Sequence, residues 1–462
     1  MDQRGVFANR TLNLRSIKAI GYDLDYTLVH YNTDEWEGRA YNHARRRLAE
    51  SGWPLDGLDF EPTRVIQGLT IDLELGNLVK ATRFGYIIRA MHGTRFLEFD
   101  EMRRAYSGTF VDLSEDRWVF LNTLFSLSEA TLFGQLVDLA DSGLIPVGVG
   151  YEGLYRAARS ALDAAHMEGT LKAEILEDPQ RFIEFDAEVV AALLDQRRVG
   201  KQLMLITNSE WEYAHRIMSM VFDPVLGGSW RELFDAVIVS ADKPGFFAAD
   251  HRLYKVVDEE KALLRPHHGS IDIGGVYFGG SARLVEESLG LSGDEILYVG
   301  DHLFGDVHAS KSMLRWRTAL ILRELEAELG SLQRFAPSER RLTALMGEKE
   351  GLEASLSALR LERQRAKDAP GRSNSAIDRD VEATREALVK LDDQIAPLAI
   401  EAGVLSNPNW GLLMRSGVDK SLFARQVERY ADVYTSRVAN LLPATPHAFF
   451  RAARTSLPHD IN

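Results

Sequence analysis

Two aspartates spaced two residues apart follow the first apolar run of the chain. The run covers residues 17–20, and the aspartates are Asp23 and Asp25, with Thr27 two residues further on. If the run continues to residue 23 as a buried strand, both carboxylates lie at its carboxyl end, where side chains can converge on a ligand. Positions i and i+2 of an extended chain point the same way, so the two carboxylates can share one small volume.

Crowded carboxylates repel each other unless a cation lies between them. The Asp23–Asp25 pair therefore predicts either a metal site or an acid–base partnership. The alternative is an ordinary turn, because aspartate favours turns.

Three later apolar runs are also followed by residues suited to phosphate chemistry. In chain order they are residues 203–206 before Thr207, 236–239 before Lys243, and 295–299 before Asp301 and Asp306. Each polar residue alone is commonly a turn, surface or cap residue, but their coincidence after four apolar runs favours one site. Near-continuous apolar runs separated by helical stretches are typical of a parallel sheet covered on both faces. The sequence therefore predicts an α/β fold with a Rossmann-like parallel sheet.

Two segments interrupt this pattern. Residues 32–199 contain helical and mixed patterns, and we interpret them as an inserted, mainly helical cap domain, with helices over 130–141 and 156–166. Residues 338–400 carry apolar residues every seven positions on both sides of a segment with proline and glycine, which predicts an antiparallel helical hairpin. The heptad residues are Leu345, Leu352 and Leu359, then Val381, Leu388 and Ile395. The core is then predicted to comprise residues 1–31, 200–337 and 401–462.

Composition excludes several classes of function. The 462 residues carry a net charge of −14, which argues against a nucleic-acid-binding surface as the main function. The chain has no cysteine, so it has no disulfide or thiolate zinc site, and it contains no apolar run long enough for a membrane span. The first residues lack the apolar core of a signal peptide. We therefore expect a cytoplasmic protein without a membrane partner.

The polar residues permit one scheme of phosphoryl chemistry. Asp23 can attack phosphorus and form an acyl phosphate, which water then hydrolyses. Asp25 can protonate the leaving oxygen and later take a proton from the attacking water. Thr207 can hold phosphoryl oxygens, and Lys243 can supply a compact positive charge to the phosphate and the nucleophile.

The acidic residues also permit a magnesium site. Mg²⁺ prefers oxygen ligands and keeps several waters, so it needs few protein ligands. Asp23, the backbone carbonyl of Asp25, and Asp301 would suffice, while Asp306 would anchor Lys243 or the waters of the ion.

The motifs resemble those of the haloacid dehalogenase-like superfamily, which combine Asp-x-Asp-x-Thr, a strand ending in Thr, a Lys, and Gly-Asp with a second Asp. Within it, Asp25 is similar to the second aspartate of the phosphatases. The chain resembles the cytosolic purine 5′-nucleotidase group still more closely, in residues 21–29, 206–209, 277–281, 298–306, 423–432 and 450–453.

The resemblance implies a nucleoside monophosphate substrate bound between core and cap. Thr207, Asn208 and Ser209 would bind the substrate. The residues implied near the base and sugar are Asn122, Phe125, Arg159, Asp163 and His166, with Phe125 stacking on the base. A paired Arg and Asp can read the carbonyl and ring N–H of a hydroxypurine.

We therefore expect a Mg²⁺-dependent 5′-nucleotidase that hydrolyses purine nucleoside 5′-monophosphates through an Asp23-phosphate. Nucleoside phosphotransfer and a homo-oligomer, either dimer or tetramer, are implied by the same resemblance. Two alternatives stay open at this point. One is a phosphatase of another small phosphorylated metabolite, and the other is an interaction protein that acts through the 338–400 hairpin.

Overall fold

A ten-stranded mixed sheet forms the centre of the computed structural model, which describes residues 3–145, 148–167, 169–366 and 374–454. Residues 327–412 form one compact unit, and the remaining described residues form the other. The described strands are β1 Phe7–Ala8, β2 Leu12–Asn13, β3 Ala19–Tyr22, β4 His30–Tyr31, β5 Thr70–Asp72, β6 Asn77–Ala81, β7 Ile87–His92, β8 Arg95–Phe96, β9 Trp118–Phe120, β10 Ile183–Glu184, β11 Gln202–Ile206, β12 Ala236–Val239, β13 Leu253–Asp258, β14 Leu263–Pro266, β15 Gly275–Gly279, β16 Ile296–Gly300, β17 Arg317–Ile321, β18 Arg415–Ser416, β19 Asp419–Lys420, β20 Val433–Thr435 and β21 Phe449–Phe450.

The described helices are α1 Thr33–Glu50, α2 Phe99–Tyr106, α3 Leu127–Asp141, α4 Gly150–Met167, α5 Thr170–Glu177, α6 Pro179–Phe182, α7 Ala187–Arg198, α8 Trp211–Leu226, α9 Gly245–Ala248, α10 Ala282–Leu289, α11 Ala309–Leu314, α12 Leu325–Arg365, α13 Asn374–Gly403, α14 Leu422–Tyr430 and α15 Leu441–Ala444. Short 3₁₀ turns lie at Leu124–Ser126, Trp230–Leu233, Gly293–Glu295 and Val438–Asn440, and a π-helical turn lies at Leu303–His308. None of these helices combines the length and the apolar character that a bilayer span requires.

The strand order of the central sheet is β1-β20-β17-β16-β3-β11-β12-β15-β13-β14. Strands from β20 to β15 run parallel to their neighbours, whereas β1, β13 and β14 pair antiparallel at the two edges. The four strands predicted from the apolar runs are β3, β11, β12 and β16, and they are immediate neighbours in the order β16-β3-β11-β12. The predicted α/β fold with a parallel sheet is confirmed.

The register aligns the ends of these strands. Tyr22 of β3 pairs with Leu205 of β11 on one side and with Val299 of β16 on the other. Gly21 makes this packing possible, because a Cβ there would lie 3.0 Å from a ring atom of Tyr298 and 3.1 Å from Ile206 Cδ1. The residues that follow each strand therefore emerge at one edge of the sheet.

The inserted cap begins and ends at a pair of short strands. β4 and β10 pair antiparallel, with His30 opposite Glu184. Between them lie helices α1 to α6 and a five-stranded antiparallel sheet in the order β8-β7-β6-β5-β9. The sequence did not predict this sheet, because its strands are short and lie within mixed patterns.

Two details of the predicted cap need correction. The predicted range 32–199 includes α7, but Gln196 of α7 accepts a hydrogen bond from the Tyr22 hydroxyl on β3, so this helix packs on the core sheet. The predicted helix 130–141 begins earlier, at Leu127. In its first turn Ser128 donates its hydroxyl to the buried Glu37.

The unit of residues 327–412 contains most of α12 and all of α13. Ion pairs between Lys349 and Asp392 and between Arg363 and Asp378 show that the two helices run antiparallel. Their apolar cluster consists of Leu356, Ile377 and Val381, with Leu359, Ala366 and Leu388 packed against it. Both helices and the unit extend beyond the predicted range 338–400, so residues 401–412 belong to the hairpin unit and not to the core.

Candidate active site

The Lys243 ammonium lies between two carboxylates at the carboxyl edge of the parallel sheet. Its Nζ is 2.7 Å from Asp23 Oδ1, just after β3, and 2.8 Å from Asp306 Oδ1 in the π-helical turn after β16. It also donates to the Tyr298 hydroxyl at 3.0 Å, and that hydroxyl donates to the carbonyl of Ile206. All of these groups are buried. The Lys243 ammonium thus connects residues that follow β3 and β16 with the end of β12.

Asp301 completes a group of three buried carboxylates. One oxygen from each of Asp23, Asp301 and Asp306 lies within 4.8 Å of the others. Thr123 of the cap lies close by, with its hydroxyl 3.5 Å from Asp301 Oδ2. The predicted acidic and cationic residues thus come together in space, although they are far apart along the chain.

Burial and mutual repulsion shift the protonation of these groups. Burial raises the pKa of Asp23 to about 7, against the lowering effect of Lys243, and the charges of Asp306 and Asp25 add to the rise. Burial and the neighbouring Asp23 raise the pKa of Asp301 well above its usual range. Burial acts to lower the pKa of Lys243, but its two ion pairs outweigh that effect and raise it well above the ordinary value.

The donor set fits a divalent cation with a preference for oxygen. Three carboxylates face one ammonium, so the group retains negative charge that protons or a cation must balance. Carboxylate oxygens without imidazole or thiolate suit Mg²⁺ or a similar hard ion. The Asp25 side chain is not in this group, and the sequence assigned only its backbone carbonyl to the ion.

Asp25 instead has a separate hydrogen-bond environment. Its Oδ1 accepts from the Tyr31 hydroxyl at 2.5 Å, and its Oδ2 accepts from the Ser209 hydroxyl at 2.6 Å. The turn that brings Asp25 here contains Tyr26 with a φ of +54°, an uncommon left-handed conformation for a residue other than glycine. The two aspartates thus point to different partners despite their spacing.

The loop after β11 hydrogen-bonds both to itself and to the backbone of Lys243. The Thr207 hydroxyl accepts from the Ser209 backbone amide at 3.0 Å, a role that leaves its own proton to be donated. Asn208 bonds to both backbone groups of Lys243, accepting from its N–H at 2.7 Å and donating to its carbonyl at 3.0 Å. Asn208 therefore positions Lys243, whereas the resemblance had implied a substrate-binding role for it.

Aromatic side chains from core and cap pack together beside Asp25. The Phe125 ring centroid lies 4.8 Å from that of Tyr26, 5.6 Å from that of Trp36 and 6.0 Å from that of His166. Burial, helped by the charge of Lys172, lowers the pKa of His166 to about 4, so this imidazole is neutral near pH 7. The structure thus brings together two of the residues implied near the base.

The other cap residues implied by the resemblance are engaged with each other or with the backbone. Arg159 donates to the buried Glu129 at 3.0 Å and to Asp163, which lies four residues later on α4. The Asn122 amide donates to the Phe120 carbonyl at 3.2 Å, and its Oδ1 is buried without a partner among the described residues.

Several residues at the site were not predicted from the sequence. They are Tyr31, Tyr213, Tyr298, Thr123, Glu129 and Lys172, whose Nζ lies 4.9 Å above the Tyr213 ring. Tyr298 lies inside the apolar run 295–299, where its side chain could be taken for core. The sequence around the other five residues does not indicate what they contact, because their partners are distant in the chain.

The buried carboxylates and lysine at the carboxyl edge of a parallel sheet fit a phosphatase-type hydrolase that acts on phosphomonoesters. Residues 6–462 match the 5′ nucleotidase family, and the chain belongs to that family. It is 28% identical over 481 residues to the human 5′-nucleotidase domain-containing protein 2, covering 100% of this chain and 86% of the relative. It is likewise 28% identical to the Rattus norvegicus protein of that name, covering 80% of it.

Solved structures give more distant similarity. An archaeal beta-phosphoglucomutase from Pyrococcus sp. strain ST 04 is 13% identical with a TM-score of 0.32, covering 66% of this chain and 86% of that one. A predicted phosphoglycolate phosphatase from Haemophilus somnus is 14% identical with a TM-score of 0.28, covering 66% and 85%.

The raised pKa of Asp23 predicts that Mg²⁺ affinity depends on pH. Below about pH 7 the cation must displace the proton that Asp23 holds, and it must also compete with the proton favoured on Asp301, so affinity should rise with pH. We expect binding at least about tenfold tighter at about pH 8 than at about pH 6, measured by isothermal titration calorimetry. Asp23→Asn removes one of the two carboxyls whose pKa is raised, so it should weaken this dependence, and the part that remains would come from Asp301. Equal affinity of the unmodified protein at both pH values would contradict the electrostatic account.

Replacing Lys243 tests the charge balance of the buried group. Lys243→Met leaves three buried carboxylates without an ammonium, and we expect a loss of about 3–5 kcal/mol in the free energy of unfolding in EDTA. Mg²⁺ should restore part of that loss. The matched variant Lys255→Met removes a partly exposed lysine, paired with Asp272 at 2.8 Å, and should change stability little. Equal losses in the two variants, measured by urea unfolding, would show that Lys243 does not balance the carboxylates.

Proposed function

We propose that this protein is a Mg²⁺-dependent 5′-nucleotidase that hydrolyses purine nucleoside 5′-monophosphates to nucleoside and phosphate. The observation that carries the proposal is the buried group at the sheet edge, in which Lys243 bridges Asp23 and Asp306 beside Asp301. Family membership supports the substrate class.

The first half-reaction transfers the phosphoryl group to Asp23. A carboxylate oxygen of Asp23 attacks phosphorus, the bond from phosphorus to the ester oxygen breaks, and Asp25 gives its proton to that leaving oxygen. Lys243 and the Thr207 hydroxyl face the charge that develops on the phosphoryl oxygens. The nucleoside leaves with the proton, and Asp25 is left ionised.

The second half-reaction returns the protein to its starting state. Water attacks phosphorus of the aspartyl phosphate, Asp25 takes a proton from that water, and the bond from phosphorus to the Asp23 oxygen breaks. Phosphate leaves, Asp23 is again a carboxylate, and Asp25 again holds a proton. The sum is hydrolysis of one phosphomonoester by one water.

The cation site supports this chemistry through charge. Asp23, Asp301 and Asp306 are the residues that would hold Mg²⁺, and the ion would neutralise charge between the nucleophile and the phosphoryl group. Because the pKa of Asp23 is raised to about 7, a positive charge beside it would also keep the nucleophile ionised at neutral pH.

The cap offers an aromatic surface for the nucleoside. Phe125 and His166 lie in the ring cluster beside Asp25, and Asn122 carries a buried amide oxygen that lacks a partner among the described residues. Cytoplasmic location stays a prediction from the composition and the first residues of the chain. A homo-oligomer and nucleoside phosphotransfer stay predictions from the resemblance.

A second candidate keeps the chemistry and changes the substrate to another small phosphomonoester. It is favoured by the ion pairs of Arg159 with Glu129 and Asp163, which occupy the side chains that would read a purine. Phosphate release from a panel of nucleoside and sugar monophosphates separates the two. Faster turnover of inosine or guanosine monophosphate supports the nucleotidase, whereas faster turnover of sugar phosphates supports the second candidate.

Removing the nucleophile tests the shared mechanism. Asp23→Asn should lower turnover at least about a thousandfold, because an amide does not form the aspartyl phosphate. Circular dichroism should show an unchanged fold. The matched variant Asp272→Asn changes an exposed aspartate of the core and should retain full activity. Near-normal phosphate release by Asp23→Asn would refute the covalent route.

A further inference from the structure

Both oxygens of the Asp25 carboxylate accept a hydrogen bond from a hydroxyl group. The Tyr31 hydroxyl lies 2.5 Å from Oδ1, and the Ser209 hydroxyl lies 2.6 Å from Oδ2. Behind Tyr31, the Tyr213 hydroxyl lies 2.9 Å away. The side chains of Tyr31, Tyr213 and Ser209 are buried. Asp25 therefore lies at the end of a short chain of buried hydroxyl groups formed by Tyr31 and Tyr213.

The direction of these hydrogen bonds follows from proton counting. Once Asp25 has given up its proton, its carboxylate only accepts, so Tyr31 donates its single proton to Oδ1 and must accept from Tyr213. When Asp25 holds its proton on Oδ2, Oδ1 still only accepts, so Tyr31 stays a donor to Oδ1 in both states. The Ser209 hydroxyl has no such constraint, since it can rotate from donating to Oδ2 to accepting from it.

We propose that Tyr31, backed by Tyr213, is a positioning residue that makes Oδ2 of Asp25 the oxygen that transfers the proton. Oδ1 stays bonded to Tyr31 throughout turnover. When the ester bond to phosphorus breaks, the proton on Oδ2 passes to the leaving oxygen, and the Ser209 hydroxyl turns back to donate to Oδ2. This inference rests on the proposed function, because it assigns a role within the same phosphoryl transfer.

The packing around Tyr31 supports a role for the hydroxyl that is separate from the ring. The ring centroid of Tyr31 lies 4.4 Å from that of Trp36 and 5.3 Å from that of Tyr26, so phenylalanine would keep these contacts. The Lys172 ammonium over the Tyr213 ring strengthens that phenol as a donor toward Tyr31. The chain of hydroxyl groups thus begins at Tyr213, beneath the Lys172 ammonium, and ends at Asp25.

The test compares two leaving groups in the full-length protein with Mg²⁺. An alkyl phosphomonoester needs a proton on its leaving oxygen, whereas 4-nitrophenolate leaves without one. Tyr31→Phe should lower kcat/KM about tenfold or more on a nucleoside 5′-monophosphate, or on whichever alkyl ester the wild type hydrolyses best, because kcat/KM reports the step in which the ester bond breaks, before water attacks the aspartyl phosphate. The kcat/KM on 4-nitrophenyl phosphate should change less than about threefold. Tyr213→Phe should shift the same ratio in the same direction, but less.

The ratio of the two rates does not depend on how much of the variant folds. The matched control is Tyr41→Phe, which removes the hydroxyl of another buried cap tyrosine, bonded to Gln135, and should leave the ratio unchanged. Equal losses on both substrates, or no loss on either, in Tyr31→Phe would overturn the inference while leaving the proposed function in place. A wild type that hydrolyses neither substrate would overturn the proposed function, and this inference with it.

Discussion

The buried charge at the carboxyl edge of the sheet is the constraint on which the site depends. Asp23, Asp301 and Asp306 lie within one small volume, and one ammonium, that of Lys243, pairs with two of them. Such a group is stable only if protons or a cation balance the remaining charge. The raised pKa values of Asp23 and Asp301 show that protons can balance this charge. A divalent ion can balance it as well, and it also leaves Asp23 ionised as a nucleophile.

Much of this arrangement could be predicted from the sequence because parallel sheets obey simple rules. Four apolar runs ended in chemically suitable residues, and their strands are neighbours in the sheet. Adjacent parallel strands present their carboxyl ends at one edge, so Asp23, Thr207, Lys243 and Asp301 had to converge once the fold class was right. The prediction needed only local sequence patterns, because the order of the strands in the sheet brings residues that are distant in sequence to the same edge.

Other features could not be predicted, because they depend on contacts between distant segments. Tyr31 reaches Asp25 through a turn with a left-handed residue, and the partner of Arg159 is Glu129 on another helix. The antiparallel sheet of the cap has no periodic signal long enough to be recognised. The resemblance named Asn208 as a substrate ligand, yet its side chain bonds to the Lys243 backbone. The structure brings the motif residues Asp23, Lys243, Asp301 and Asp306 together, whereas the partners of Asn208 and Arg159 were not predicted.

The most direct measurement is a crystal structure of the protein with Mg²⁺ and beryllium fluoride, which mimics a phosphoryl group on a carboxylate. The account predicts beryllium fluoride bound to an Asp23 oxygen and a cation in contact with Asp23 and Asp301. Lys243 should stay within ion-pair distance of Asp23 and Asp306. A cation bound elsewhere, beryllium fluoride on another residue, or a Lys243 side chain directed away from Asp23 would contradict it.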